Sequence, residues 1–430
     1  MFAALRFRNF RLLWLGLIVS FTGSFMQQAA ILWHVSLLVG PDQKGLALGL
    51  VGLVRAGPII AFSMVAGVAA DVFDRRRLML ATQLGGALIA AMLAALAFRG
   101  GHSVWPIYVL AALASSVGAF DPPARHSMVP MLVPRSQLAN AVSLNSAMIQ
   151  TSSVLGPALG GLLIAHRSVG WAYVVNSISF LFVVGALLLM RDVPAVDRSG
   201  PHARDAFSVG AARDGLRFVF RQPIIRSTML LDFFATFFAS AMALLPIFAQ
   251  DVLHVGARGY GVLASAPAAG AALTTLVLLP VMHRIRRQGP VLIWAVGAYG
   301  LATVVFGLSV SFWLTFVCLA LSGASDAVSM IIRNVARQME TPDAIRGRMT
   351  GVNMVFFQGG PQLGELEAGA VAQWIGPRAS VVTGGIGCML ATAIVALLTP
   401  ELRRYTAWQE TPAGAPPVAV AAPKAADEQP

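Results

Sequence analysis

The sequence predicts an all-α membrane protein in which twelve transmembrane helices form two pseudo-symmetric bundles of six helices. Three observations lead to this fold class. The 430-residue chain is 57% apolar and only 12% charged, whereas a soluble domain carries about 25% charged residues. Apolar runs of about 20 residues recur along the chain, and a helix of that length crosses the ~30 Å hydrocarbon core of a bilayer. Basic residues collect in alternate loops between these runs.

The apolar runs are bounded by short polar segments and are continuous rather than alternating. This pattern, with its Ala, Leu and Gly content, favours helices over the strands of a barrel. The first run follows three arginines, as in a signal peptide, but it is too long for one and no cleavage site follows, so we expect an uncleaved helix. The predicted spans lie near 10–38, 46–70, 77–98, 104–132, 138–165, 170–190, 225–251, 258–282, 289–310, 312–338, 347–374 and 377–398.

Four segments organise the chain. Residues 1–190 and 225–400 are the predicted N-terminal and C-terminal six-helix bundles. Residues 191–224 are predicted to be a cytoplasmic linker with an amphipathic helix, because apolar residues and arginines follow separate helical faces there. Residues 401–430 are rich in Pro, Ala and charge, which predicts a disordered cytoplasmic tail.

The placement of basic residues predicts the orientation. Of the 31 Lys and Arg residues, Arg55 lies inside a span and nearly all others lie in loops and termini on one side. The positive-inside rule places that side, with both termini, in the cytoplasm of a multi-pass protein of the inner (plasma) membrane. The net charge of +12 then reflects membrane lipid as a partner, and not nucleic acid. The loops on the other side hold only Lys44, Arg99, Arg167, Arg258 and Arg378.

The two predicted bundles share a weak internal repeat. Short blocks of the first bundle recur in the second, in the same order and at nearly constant spacing. Two related halves around a central cleft can rock between two states, an arrangement that is typical of secondary transporters. The matches are Gly49 with Gly261, Asp71 with His283, Arg75 with Arg287, Arg125 with Arg333, Pro134 with Pro342, Asn145 with Asn353, and 156–160 with 360–364.

The loop after the second span resembles the G-x-L-A-D-R-x-G-R-R/K cytoplasmic loop of the major facilitator superfamily. Here the run from Gly67 reads GVAADVFDRRR, with Val72 where the pattern has Arg and Asp74 where it has Gly. Asp71 ends a helix and can accept hydrogen bonds from another helix or pair with an arginine. A plain positive-inside loop is the alternative. The resemblance implies a conformational-switch loop of Gly67, Asp71, Asp74, Arg75 and Arg76.

The fifth span contains a run, SSVLGPALGG, that resembles the antiporter motif G-x-x-x-G-P-x-x-G-G of the same superfamily. Ser152 takes the place of the first glycine. Gly156, Gly160 and Gly161 permit close helix packing, and Pro157 can bend the helix. In the family this motif accompanies exporters that exchange substrate for protons, whereas generic packing of small residues is the alternative.

Three further segments resemble the branch of this superfamily that contains the enterobactin exporter and macrolide-efflux proteins. They are FRNFR at 7–11, FDPPAR at 120–125 and PRSQLANA at 134–141. The resemblance extends over 5–400 and is strongest in the first half. It implies the major facilitator fold and a transporter of small molecules.

Charged residues inside the predicted spans are candidate functional residues, because charges are costly in the bilayer core. A protonatable carboxylate that faces the cleft can carry a coupling proton. For the two matched arginines the alternative is that they end their helices at the inner surface, and for Asp232 that it is interfacial. Arg55 needs a countercharge that the sequence does not name. The candidate proton or substrate site comprises Arg55, Asp121, Arg125, Asp232, Asp326, Arg333, Glu365 and Glu367.

The function predicted from these features is proton-coupled export of small organic molecules, such as drugs, siderophores or metabolites, by alternating access. We expect a monomer, with a small-molecule substrate and the proton as partners. An importer or facilitator of the same fold is the alternative, and a non-transporting scaffold or sensor is a remote one. The sequence has no H-E-x-x-H, G-x-S-x-G or G-x-x-x-x-G-K-[ST] motif, and Cys318 and Cys388 have no metal-site spacing. We therefore predict neither an enzyme nor a cofactor or metal site.

Overall fold

The structure, a computed structural model, describes residues 2–191, 217–278, 284–341 and 346–406. These ranges are helical and contain no β-strand. The helices that matter below are α1 (Arg8–Leu38), α2 (Lys44–Val72), α3 (Arg75–Arg99), α4 (Trp105–Gly118), α5 (Asp121–Leu132), α6 (Leu138–His166), α7 (Val169–Leu189), α8 (Pro223–Phe238), α9 (Gly256–Leu278), α10 (Gln288–Leu308), α11 (Phe312–Glu340), α12 (Arg346–Ile375) and α13 (Pro377–Leu398).

Most of these helices have the length and composition of membrane spans. Eleven helical segments of the described chain are long and apolar enough to cross a bilayer, so the protein is an integral membrane protein. The helix α12 is not among the eleven, although its 30 residues coincide with the predicted span 347–374. Twelve crossings therefore remain a prediction.

The fourth predicted span is divided, which the sequence did not lead us to expect. Trp105–Leu132 contains the two helices α4 and α5, with a turn at Ala119 and Phe120. Pro122 and Pro123 follow the turn, and proline cannot donate the backbone hydrogen bond that would continue α4. The α-helical hydrogen bonding is therefore interrupted where α5 begins, although Ala119 and Phe120 keep right-handed helical dihedral angles.

The seventh predicted span, 225–251, is interrupted as well. After α8, a 3-10 turn at Ala241–Leu244, one helical turn at Leu245–Ile247 and a π-helical turn at Phe248–Val252 complete the segment. Pro246 lacks the N–H that a continuous helix would need. Short π-helical turns often occur at functional sites.

The helices pack around several apolar clusters, of which three are large enough to be called cores. One core consists of residues between Ala4 and Met190, a second of residues between Leu231 and Leu402, and the largest contains residues from both parts of the chain. Helices of the first and second parts meet mainly where α2 packs on α12 and α6 packs on α9. The structure thus joins the two predicted halves along two pairs of helices.

Glycines permit these two close approaches. A Cβ atom on Gly161 of α6 would lie 2.6 Å from Cα of Gly261 of α9. A Cβ atom on Gly49 of α2 would lie 3.1 Å from Cα of Gly369 of α12. A larger residue at these positions would force the helix backbones apart.

The loops between the helices form two sets, one at each end of the bundle, which we call the Lys44 end and the arginine end. At the Lys44 end lie the loops 39–43, 100–104, 167–168, 253–255 and 309–311. At the arginine end lie 73–74, 133–137, 284–287 and both ends of the predicted linker.

Two predicted segments lie largely outside the described residues. The linker 191–224 is described only at residue 191 and from residue 217 onward, and the tail 401–430 only as far as residue 406. The start of the tail is helical at Pro400–Arg403, and Gly289 N donates a hydrogen bond to Tyr405 O at 3.0 Å. These first residues of the predicted disordered tail are therefore packed against α10.

Candidate functional site

A buried arginine of α11 joins two carboxylates. Arg333 is 4% exposed, its Nη1 donates a hydrogen bond to Asp232 Oδ1 of α8, and its Nη2 donates to Asp326 Oδ1 at 3.4 Å. The side chain of Asp232 is 8% exposed and that of Asp326 is 48% exposed. We call these three residues the C-terminal cluster.

Helical spacing within α11 and the packing of α8 on α11 bring these three side chains together. Asp326 precedes Arg333 by seven residues, which is about two helical turns, so both lie on one face of α11. Asp232 comes from α8, which packs against α11. One guanidinium and two carboxylates carry a formal charge of minus one, and a proton or another cation can neutralise it.

A cavity lies beside Asp326. Its volume is about 120 Å³, and its lining includes Met242, Tyr299, Phe306 and Ser322. Tyr299 donates its hydroxyl hydrogen to Ala239 O at 3.3 Å. Most of the lining is apolar, and Tyr299, Thr303 and Ser322 are its polar side chains beside Asp326.

A second buried arginine, in α5, has a different environment. Arg125 is also 4% exposed, and its Nε lies 3.5 Å from Asp121 Oδ2. Gln83 of α3 donates to Asp121 Oδ1 at 2.8 Å, and Ser20 of α1 donates to Gln83 Oε1 at 3.3 Å. The ring of Phe21 lies 4.8 Å from the guanidinium carbon. We call these five residues the N-terminal cluster.

The two clusters differ in how many hydrogen-bond donors of their buried arginine have an acceptor. Nε and Nη1 of Arg125 are buried and have no hydrogen-bond acceptor among the described residues. A buried donor without a partner costs about 1–3 kcal/mol. Asp232, 6% exposed, is buried inside the protein like the two arginines, and the depth of these three residues in the bilayer stays a prediction.

Arg55 makes no ion pair within 4 Å among the described residues, and Glu365 is the candidate for its countercharge. Arg55 of α2 acts electrostatically on Glu365 of α12, across the contact between the two predicted halves. Glu365 Oε2 is buried without a hydrogen-bond partner in the described structure, and a Cβ atom on Gly52 would lie 2.6 Å from it. Glu367 is partly buried and makes no ion pair with any described residue.

A polar contact at the Lys44 end links the two predicted halves. Lys44 Nζ donates to both carboxylate oxygens of Asp251 at 3.2 and 3.0 Å and to Gln250 Oε1 at 3.0 Å. Gln250 Nε2 donates to Ser36 Oγ at 2.7 Å. The π-helical turn Phe248–Val252 presents both acceptors to Lys44. We call these four residues the Lys44 latch.

Sequence reasoning missed this latch. It used Lys44 only as evidence for orientation, and it gave Asp251 no role. The weak signal was that Lys44 is one of only two lysines in a chain whose other basic residues are arginines. The partner could not be found because a π-helical turn sets its direction.

Comparisons with known proteins identify the family. The profile of the transmembrane secretion effector family, a branch of the major facilitator superfamily, matches residues 1–425. The chain belongs to this family. Within the secretion effectors it is similar to the enterobactin exporter of Citrobacter koseri, with 29% identity over 376 residues and 87% of each chain covered. It is also similar to the enterobactin exporter of Escherichia coli O1:K1, with 28% identity over 365 residues, 84% of this chain and 85% of that one.

Solved structures show the fold of this secretion effector. A bacterial homolog of the human lysosomal transporter Spinster, in an inward-facing and unoccupied conformation, superimposes with a TM-score of 0.71 at 15% identity, covering 93% of this chain and 99% of that one. A bacterial homologue of the iron transporter ferroportin in the inward-facing state gives 0.64 at 14% identity, covering 93% and 99%. At these identities the likeness concerns the fold alone. The protein is a membrane transporter of the major facilitator type.

The switch loop of this secretion effector is described only in part. The surroundings of Gly67 and the side chain of Asp71 lie outside the described structure, so the role of Asp71 stays a prediction. Asp74 caps α3, because its carboxylate accepts a hydrogen bond from the backbone N of Arg77 at 2.9 Å. This explains an acid at a position where the family pattern has Gly.

Two arginines of the loop fasten it to neighbouring helices. Arg75 Nη1 donates to the backbone carbonyl of Ser127 in α5 at 3.0 Å. Arg76 Nη2 donates to the carbonyl of Leu188 in α7 at 3.4 Å. The start of α3 is therefore connected to two other helices of the first half.

The glycines of the antiporter-type motif divide their contacts between two helices. Gly156 and Gly160 face α1, where a Cβ atom would lie 2.6 and 2.9 Å from side-chain atoms. Gly161 faces α9, and the carbonyl of Pro157 lies 2.5 Å from where a Cβ on Gly261 would be. The motif thus packs α6 against one helix of each half.

The described residues of this secretion effector offer no metal centre. Among them no group of three His, Cys, Asp or Glu side chains is placed to hold a metal ion. Cys318 and Cys388 are buried free thiols. The candidate site comprises the charged side chains of the C-terminal cluster, those of the N-terminal cluster, and Arg55 with Glu365.

Proposed function

We propose that this secretion effector exports small organic molecules in exchange for protons by alternating access. Its twelve spans form the halves 1–190 and 225–400, and both termini are cytoplasmic. The observation that supports the coupling is that Asp232 and Asp326 both pair with the buried Arg333 inside an apolar span. The similarity to enterobactin exporters supports export, and siderophore-like molecules are the first substrates to test.

The contacts between the halves support one end state of such a cycle. In the described chain they gather toward the Lys44 end, in the Lys44 latch and in the close pair Gly161 and Gly261. The positive-inside rule makes this the outer end. Two transporters of similar fold were solved in inward-facing states. We therefore interpret the structure as closed to the outside.

The proposed coupling step is the arrival of one proton at Asp326. Its carboxylate is the more exposed of the pair and borders the cavity, whereas Asp232 is buried against Arg333. Protonation removes the surplus negative charge, which lowers the cost of enclosing the cluster. The same proton leaves Asp326 on the other side after the halves rock, which returns the cluster to its formal charge of minus one.

The experiment measures flux in proteoliposomes with and without a pH gradient, using enterobactin and a panel of small organic compounds. We expect gradient-driven flux in the wild type and its loss in Asp326→Asn and in a variant with Glu365→Gln added. Asp42→Asn, which removes an exposed carboxylate, is the matched control. If dissipating the gradient leaves uphill flux intact, or if the double variant keeps its pH dependence, the coupling proposal is wrong.

A further inference from the structure

The internal repeat places a glycine in the first half where the second half has the carboxylate of Asp326. Arg125 of α5 corresponds to Arg333 of α11, and the two arginines are equally buried. Asp326 lies seven residues before Arg333, and the residue at the same place before Arg125 is Gly118. The N-terminal cluster therefore lacks the second carboxylate of the C-terminal cluster.

The space that this carboxylate would occupy is open. A Cβ atom built on Gly118 meets no other atom within 4 Å, and Gly118 is exposed. The two residues between α4 and α5 keep right-handed helical dihedral angles. The two-turn spacing that brings Asp326 to Arg333 is therefore preserved between Gly118 and Arg125.

Arg125 has vacant donors for such a group. Nε and Nη1 are buried without an acceptor among the described residues, and Asp121 comes no closer to Nε than 3.5 Å. Phe21 covers one face of the guanidinium, so that an acceptor approaches in its plane. Arginine keeps its charge in proteins, and an oxyanion is the partner that matches charged, planar donors.

We propose that Arg125 and the open space at Gly118 form a binding subsite for a carboxylate group of the transported molecule. Bound there, the group gives Arg125 the second negative partner that Asp326 gives Arg333, and the two clusters reach the same formal charge. A carboxylate offers two negatively charged oxygens to the two vacant donors, whereas an amide offers one neutral oxygen. The inference rests on the proposed function for a transported molecule, but the binding step is measurable without transport.

The test uses the full-length protein in detergent and two probes of nearly equal shape, benzoate and benzamide. Binding is read from the shift of the thermal unfolding midpoint at millimolar probe. We expect benzoate to raise the midpoint more than benzamide, and Arg125→Gln to weaken benzoate binding about tenfold to a hundredfold, as expected for losing hydrogen bonds to a charged group. Arg99→Gln, at an exposed arginine, is the matched control and should keep wild-type binding.

A second pair of variants supplies the missing group from the chain. Gly118→Asp should occupy Arg125 and abolish the benzoate response, whereas Gly118→Asn adds similar bulk without charge and should keep part of it. If the aspartate variant does not fold, the comparison of Arg125→Gln with Arg125→Lys decides, because only the lysine variant retains a cation for the probe. An unchanged benzoate response in Arg125→Gln or in Gly118→Asp overturns the subsite.

Two further outcomes overturn the proposed carboxylate subsite. One is a benzoate shift that is absent or no larger than that of benzamide. The other is a chloride shift equal to that of benzoate, which would mean a general anion site and no carboxylate subsite. Lost benzoate binding with intact proton-driven flux contradicts this subsite alone, whereas lost proton coupling with intact benzoate binding contradicts the proposed function alone.

Discussion

Two buried arginines, alike in sequence context, have unequal partners at the residue scale. The sequence identifies Arg125 and Arg333 as matched positions and predicts both as candidate site residues. It could not predict their partners, because Asp232 lies far along the chain from Arg333 and reaches it only through the packing of α8 on α11. Spacing within a helix can be read from sequence, but contacts between helices depend on the fold.

Because the two arginines have unequal partners, replacing each of them should lower the free energy of unfolding by a different amount. Arg333→Gln leaves two carboxylates without their cation and should lower the free energy of unfolding by about 3–5 kcal/mol. Arg125→Gln leaves only Asp121, which still accepts from Gln83, so its cost should be smaller. Unfolding midpoints in detergent provide the measurement. Equal losses for the two variants would show that the partners of Arg333 do not stabilise it.

The aspartate of the switch loop gives a second prediction at this scale. Asp71→Asn should slow transport without reducing the amount of inserted protein, because the family resemblance gives this residue a conformational role. Asp74→Asn is the comparison, since asparagine also caps helices well and should keep the bond to Arg77. Flux per inserted molecule is the quantity to compare. Unchanged flux in Asp71→Asn would remove the proposed role of the loop.

At the scale of helices, the membrane spans are the feature that the sequence predicts best. Most predicted spans and observed helices agree within a few residues, as for 138–165 and α6, because long apolar runs are set by the bilayer thickness. The breaks in the fourth and seventh spans were missed, since apolar composition continues through them. Pro122, Pro123 and Pro246 were the available signals, and hydropathy alone gives them little weight.

The close contact of α6 with α9 predicts a difference between two glycines. Gly161→Ala would place a Cβ atom 2.5 Å from the carbonyl oxygen of Ala257, so the helices must separate, at a cost of about 1–3 kcal/mol. Gly185→Ala meets no atom within 4 Å and should be neutral or stabilising by up to about 1 kcal/mol. Unfolding midpoints of the two variants make the comparison. If Gly161→Ala is as stable as Gly185→Ala, α6 and α9 are not held this closely.

At the scale of the whole molecule, the Lys44 latch connects the two predicted halves at one end, and we propose that it holds this end closed. Lys44→Gln keeps a polar side chain but loses the charge that faces Asp251, so the population closed at this end should fall. A cysteine at Ala29, buried between the halves, reports the change after the two native cysteines are replaced. We expect faster labelling by a water-soluble reagent in Lys44→Gln than in a matched Lys44→Arg variant. Equal rates would mean that the latch does not control this end.

The central claim is that protonation rocks two halves about the shared clusters. Its most direct test is a pair of electron spin distance measurements across the halves, one between labels at His102 and Val310 of the Lys44 end and one between Arg77 and Arg286 of the arginine end. We predict that a change of pH moves the two distances in opposite directions, and that Asp326→Asn removes the response. If both distances stay constant, or both change in the same direction, the account is contradicted.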